Sequence, residues 1–122
     1  MKDKKVLNYT PHPVRLITNS GVVEIPKHGV VRAGVTRRHL EDILIGGVTV
    51  PINVTTFGNA VGLPKEVEGT IIIVSSITAY SINEVRSDIY VVDELIREKG
   101  SVIGARNLAK YDTKRNERKN NK

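Results

Sequence analysis

Asn8-Tyr-Thr-Pro-His-Pro-Val-Arg-Leu-Ile-Thr18 decides how the first half of this chain is read. Pro11 and Pro13 flank His12, and short β-forming runs lie on either side, Val6-Leu7 before and Val14 to Thr18 after. Each proline fixes its own φ near about −65°, removes a backbone donor and pushes the preceding residue toward extended geometry. Residues 10–13 are therefore expected to form a stiff corner between two strands that presents the His12 imidazole at a set angle. Such a corner holds a ligand or merely turns the chain, and the residues alone leave both readings open.

Outward from this corner the pattern stays β. Asn19-Ser20-Gly21 is a turn signal between Val14–Thr18 and Val22-Val-Glu-Ile25, which predicts a hairpin. Pro26 to Gly29 reads as a second turn and residues 30–35 as a third strand. Residues 36–45 are ambiguous: Leu40, Ile43 and Leu44 have helical spacing after a Thr36 cap, but the segment is short enough to be a bent strand. Gly46-Gly47 ends it, and residues 48–56 read as a strand that Pro51 confines to an edge or a bulge. Residues 57–69, rich in glycine and proline, read as a loop. Thr70-Ile-Ile-Ile-Val-Ser75 has the continuous apolar run of a strand buried on both faces. Residues 76–85 suit a short helix capped by Ser75 or Ser76. Ile89 to Val92 returns as a strand, and Leu95-Ile96 with residues 101–106 flank a hairpin turn at Lys99-Gly100. The expected fold class is α+β: a mostly antiparallel β-sheet with one or two short helices, in a chain that forms oligomers.

The 122 residues suit one small domain, and only 4% are aromatic, so the core must be aliphatic. Small domains hide a smaller fraction of their surface, which favours completing burial by oligomerisation. With no cysteine, disulfides, thiolate catalysis and cysteine-held metals are excluded. No apolar run approaches the roughly 20 residues of a membrane span, and the first five residues lack the apolar core of a signal peptide. A soluble, intracellular protein is expected. Charge is uneven. Residues 110–122 carry six basic and two acidic groups, whereas the other 109 residues hold 13 and 11, so most of the net +6 belongs to the C-terminus. This divides the chain into a β-rich ligand-binding domain at 1–109 and a basic, flexible tail at 110–122. Apart from Tyr111 no aromatic residue interleaves with the tail's charges, so it reads as a solvated end rather than a nucleic-acid arm.

Enzyme signatures are mostly missing. There is no Walker loop, Rossmann glycine pattern, nucleophile elbow or histidine pair at helical metal spacing. His12, His28 and His39 fall in separate segments, so neither a metal nor any other cofactor is expected. What remains is a binding-type set. Arg32, Arg86 and Arg106 offer guanidinium groups that match phosphate bidentately. Asp88 and Asn107 suit hydroxyl or amino groups, His12 stands on the stiff corner, and Phe57, the only phenylalanine, offers a face for a base. The competing readings are a structural pair of Arg86 with Asp88, and Phe57 as a core plug.

Several segments recur in order: Thr10-Pro-His-Pro-Val14, Ile25-Pro26 with Gly29-Val-Val-Arg32, Thr55-Thr-Phe-Gly58 with Gly62-Leu-Pro64, Gly69-Thr70 with Ile73-Val-Ser75, Arg86-Ser-Asp88 and Gly104-Ala-Arg106. Together they resemble a family of short phage and prophage proteins over residues 6 to about 109. Within it the chain is similar to the first-described type of Thoeris anti-defence proteins. That resemblance implies a non-catalytic sponge for cyclic ADP-ribose variants made from NAD by bacterial TIR-domain defence enzymes. It further implies glyco-cyclic ADP-ribose as the ligand, pockets between protomers of oligomers built from dimers, and action in the host bacterial cytoplasm. Cyclic nucleotides of a second defence system are implied at separate sites. On this resemblance Arg106 and Arg32 neutralise the pyrophosphate and Phe57 stacks on adenine. Asp88 and Asn107 read hydroxyls, Arg86 orients Asp88 or touches phosphate, and His12 joins the set. Two other function classes remain: an enzyme cleaving such a nucleotide with His12 as acid or base, and a nucleic-acid-binding accessory protein acting through the tail.

Overall fold

The computed structural model describes residues 3–113. Eight strands and one short helix follow the chain as β1 (Lys5–Asn8), β2 (Val14–Thr18), β3 (Gly21–Ile25), β4 (Arg32–Ile45), β5 (Val48–Val61), β6 (Thr70–Ile73), α1 (Ser76–Tyr80), β7 (Ile89–Glu98) and β8 (Ser101–Lys110). Six of them form one sheet in the order β1-β6-β7-β8-β2-β3, and β4 with β5 forms a separate two-stranded ribbon. The chain is mainly β, as expected, but the sheet is mixed. β6 runs parallel to both β1 and β7, and β8 is parallel to β2 at Leu16–Ala105, while β2–β3, β7–β8 and β4–β5 are antiparallel. The parallel pairing on both sides of β6 accords with its sequence: its apolar run has no polar face to give to water, so both faces must be covered.

The large sheet curls until its edges meet. Asn8 of β1 bridges Lys27, just beyond β3. Every strand of the sheet sends an apolar side chain into one cluster, with Val14, Leu16, Ile73 and Ala105 buried and Val6, Ile25, Val92 and Leu108 packed against them. A single cluster fed by all six strands is the inside of a small, nearly closed barrel. Outside it lies a second core: Ile72, Val74 and Ile89 from the sheet meet Ala79 of α1, Ile82 and Val31. Gly104 permits the β2–β8 contact, because a Cβ there would stand 2.9 Å from the Arg15 carbonyl oxygen.

Several sequence expectations hold. The β2–β3 hairpin forms, the Lys99-Gly100 turn closes β7 onto β8, and Ser75 caps α1 by accepting a hydrogen bond from the Thr78 backbone N–H at 3.3 Å. Residues 36–45, open between a helix and a bent strand, are strand, because Gly46 and Gly47, at φ +57° and +80°, turn the chain tightly onto a partner strand. An irregularity between His39 and Glu41 then absorbs the helical spacing of the apolar residues. Others need correction. The strand placed at 30–35 begins at Arg32. The loop placed at 57–69 begins only after Val61, since Phe57 pairs with Val35 in β5. The helix stops at Tyr80, and β8 continues past Arg106 and Asn107 to Lys110. Lys110 is thus in a strand and Thr113 is buried, so the ordered fold reaches into the segment read as tail, while residues 114–122 lie outside the described residues. Among the described residues no helix is long and apolar enough to cross a membrane.

Candidate ligand-binding site

The corner at residues 10–13 is built by Asn8, which is fully buried. Its amide donates to the carbonyls of His12 (2.8 Å) and Ile25 (3.1 Å), and its Oδ1 accepts from the backbone N–H and the hydroxyl of Thr10 (2.9 and 2.7 Å). Every polar atom of that side chain is used in holding the corner and the barrel seam together. His12 is exposed, and its contribution to the corner is its backbone carbonyl, which also accepts from Thr10 Oγ1 at 2.8 Å.

Arg86 and Asp88 form the tightest polar unit. Arg86 Nε donates to Asp88 Oδ1 and Nη2 to Asp88 Oδ2, both at 2.9 Å, with each side chain 5% exposed. Glu66 and Glu84 stand 3.6 Å from the same guanidinium, and Ser87 hydrogen-bonds Glu66. The hydrogen bond to Asp88 raises the Arg86 pKa above its ordinary value; burial opposes this, and the charges of Asp88, Glu84 and Glu66 add to it. Thr113 holds the Arg86 backbone, accepting from its N–H at 2.7 Å and donating to its carbonyl at 3.1 Å. The structural-pair reading of Arg86 and Asp88 is what the contacts show.

A cleft of about 550 Å³ opens beside this pair, lined by Lys4, Glu66, the start of β6, Ser87, Asp88, Tyr90 and Lys110. A second recess of about 430 Å³ shares Ser87 and Lys110 with it and reaches Arg86 and Tyr111. Pockets for small ligands run to roughly 300–1,000 Å³. Its polar lining is mixed: the ammonium groups of Lys4 and Lys110 and the half-buried Tyr90 phenol stand with the carboxylates of Glu66, Glu68 and Asp88, the last held by its own arginine, so the lysines can meet a phosphate and the carboxylates hydroxyl or amino groups. Lys4, Tyr90 and Lys110 were not among the residues singled out from sequence. Lysines in a generally basic chain carry no signal of their own, and only the β1–β6–β7–β8 pairing brings them together.

Within one protomer the expected site residues lie in four places. Arg86 and Asp88 sit at the cleft. Arg106 and Asn107 lie in mid β8, where Asn107 donates to Asp93 at 3.1 Å and keeps a buried Oδ1 without a partner. Opposite them β7 is kinked at Glu94, a non-glycine residue at φ +36°. Arg32 and Phe57 belong to the β4–β5 ribbon, where Phe57 is 46% exposed and so plugs no core. His12 projects from its own corner. No cluster of three or more His, Cys, Asp or Glu able to hold a metal occurs among the described residues. Comparisons with protein-family models, with curated proteins and with solved structures find nothing that matches this chain.

Proposed function

We propose that this chain binds and sequesters a small cyclic nucleotide, a TIR-derived cyclic ADP-ribose such as glyco-cyclic ADP-ribose, and so serves as a phage counter-defence protein in the host bacterial cytoplasm. The observation that carries the reading is the cleft beside Arg86 and Asp88, with Lys4 and Lys110 available to a pyrophosphate, Tyr90 to a ring and Asp88 to a hydroxyl. The order of the sequence segments that resemble the phage family supports the ligand class. A barrel closed by Asn8 and a carboxylate pre-set by Arg86 favour capture, because groups ordered before binding cost little to order on binding. Storage requires no turnover, and the protein acts by holding its ligand in homo-oligomers built from dimers. Incubation with glyco-cyclic ADP-ribose followed by heat denaturation and chromatography tests this. Intact ligand released by heat is the expected result. Linear ADP-ribose would establish the hydrolase reading instead, and no retained ligand would overturn the proposal.

A further inference from the structure

The β4–β5 ribbon stands apart from both cores over most of its length. Its base is tied down: Ala60 N–H donates to the Ser81 carbonyl at 3.1 Å, Asn83 N–H to Asn59 Oδ1 at 3.2 Å and Thr78 Oγ1 to the Val31 carbonyl at 3.4 Å. Beyond Gly34 and Gly58 the ribbon has no other strand beside it among the described residues. A lone two-stranded ribbon is at best marginally stable in water, and open edges with apolar side chains invite pairing.

One face of it is apolar. The register pairs Ile45 with Val48, Ile43 with Val50, Glu41 with Ile52, Arg38 with Val54 and Thr36 with Thr56, and strand alternation puts all of them on the same side. Ile45 and Val48 are 56% and 62% exposed. Toward the base, the hydroxyls of Thr36 and Thr56 hydrogen-bond each other at 2.6 Å, which leaves their methyl groups for an apolar neighbour. The charges on this face are one of each sign, Arg38 and Glu41, on either side of the irregularity.

From this we infer that the ribbon is a self-association surface: two copies of the chain stack these faces antiparallel about a two-fold axis midway between Ile52 and Val54. That arrangement sets Arg38 of each copy against Glu41 of the second copy, and seats the tip aliphatics over the threonine methyls and the bare backbone at Gly34 and Gly58. The same patch serves both copies, as a two-fold interface requires. A ribbon about 40 Å long and about 10 Å wide covers roughly 800 Å² across two copies, the low end for specific association, so the dimer dissociates on dilution. The inference specifies the surface behind the oligomeric part of the proposed function and does not depend on its ligand.

Sedimentation velocity of the full chain without nucleotide, from about 1 to about 200 µM, is the test. A monomer–dimer equilibrium is expected. Arg38→Glu and Glu41→Arg should each weaken it about tenfold or more, and the double variant Arg38→Glu/Glu41→Arg should restore it, with circular dichroism confirming the same β content in all four proteins. A wild type that stays monomeric overturns the inference. So does a dimer indifferent to the single substitutions, or a double variant that remains monomeric. Nucleotide retention is measured separately on Arg38→Glu, so that loss of assembly and loss of ligand are read independently.

Discussion

Arg86 and Asp88, two residues apart in sequence, face each other through two parallel hydrogen bonds of 2.9 Å in a site almost closed to water. Removing one partner strands the other as a buried charge. Arg86→Met should therefore destabilise the fold by about 3–5 kcal/mol in urea titrations, and Arg86→Met/Asp88→Leu by clearly less. The raised Arg86 pKa adds a sign: its contribution is full below the unfolded value and is lost only as pH climbs past the still higher folded one. The gap between wild type and Arg86→Met should thus stay constant from about pH 7 to about pH 10. A gap that narrows across that range would place the stabilisation elsewhere.

Asn8 and His12 separate the corner's structure from any use of its ring. Asn8→Ala leaves the Ile25 carbonyl and the Thr10 N–H without their partner and the His12 carbonyl with Thr10 Oγ1 alone, and should cost about 2–3 kcal/mol. The exposed His12 ring makes no such contact, so His12→Ala should change stability by no more than about 0.5 kcal/mol. Thermal melts of both variants check this, and an equal loss in each would assign the imidazole a structural role.

Phe57→Ala should leave the melting temperature nearly unchanged, since the ring is exposed on the ribbon. If the ring stacks on a base, calorimetry with glyco-cyclic ADP-ribose should show binding weakened by about 1–3 kcal/mol. Arg106 lies in mid β8, away from the cleft of its own protomer; if it reaches the nucleotide from a second protomer, Arg106→Ala should abolish capture with the fold intact, and unchanged affinity would remove Arg106 from the site.

Lys4→Ala and Lys110→Ala probe the cleft directly. Each removes one ammonium group beside the Arg86–Asp88 wall and should weaken nucleotide binding by about 1.5–3 kcal/mol, the worth of a charged hydrogen bond. Equal affinity in the double variant would move the ligand away from this cleft.

Local signals in the sequence carried over well where local physics decides. The Asn19-Ser20 and Lys99-Gly100 turns, the apolar run of β6 and the Ser75 cap all act within a few residues, and all were legible. Residues 36–45 were legible only as a choice between helix and bent strand, because the strand is selected by a partner across the Gly46-Gly47 turn rather than by their own period. Phe57 looked like a loop residue for the same reason: Gly58 and Gly62 suggest a break, whereas the ribbon accommodates Gly58 opposite Gly34. Asn8 could have been noticed as a polar residue inside a β-forming run: three of its four hydrogen bonds are local, to Thr10 and His12, and only the one to the Ile25 carbonyl depends on β3 arriving beside β1. The cleft was illegible altogether, since Lys4 just before β1, Tyr90 of β7 and Lys110 of β8 are far apart in the chain.

The barrel seam has a consequence for synthesis. Lys5 pairs with Thr70 and Leu16 with Ala105, so strands made first wait for partners made near the end. Such distant pairings slow the search for the native state. On the ribosome no early fragment can close the barrel, and the protein becomes competent only when nearly all of it has emerged. Cutting the chain anywhere before β8 should leave a product that aggregates or is degraded rather than a smaller working unit.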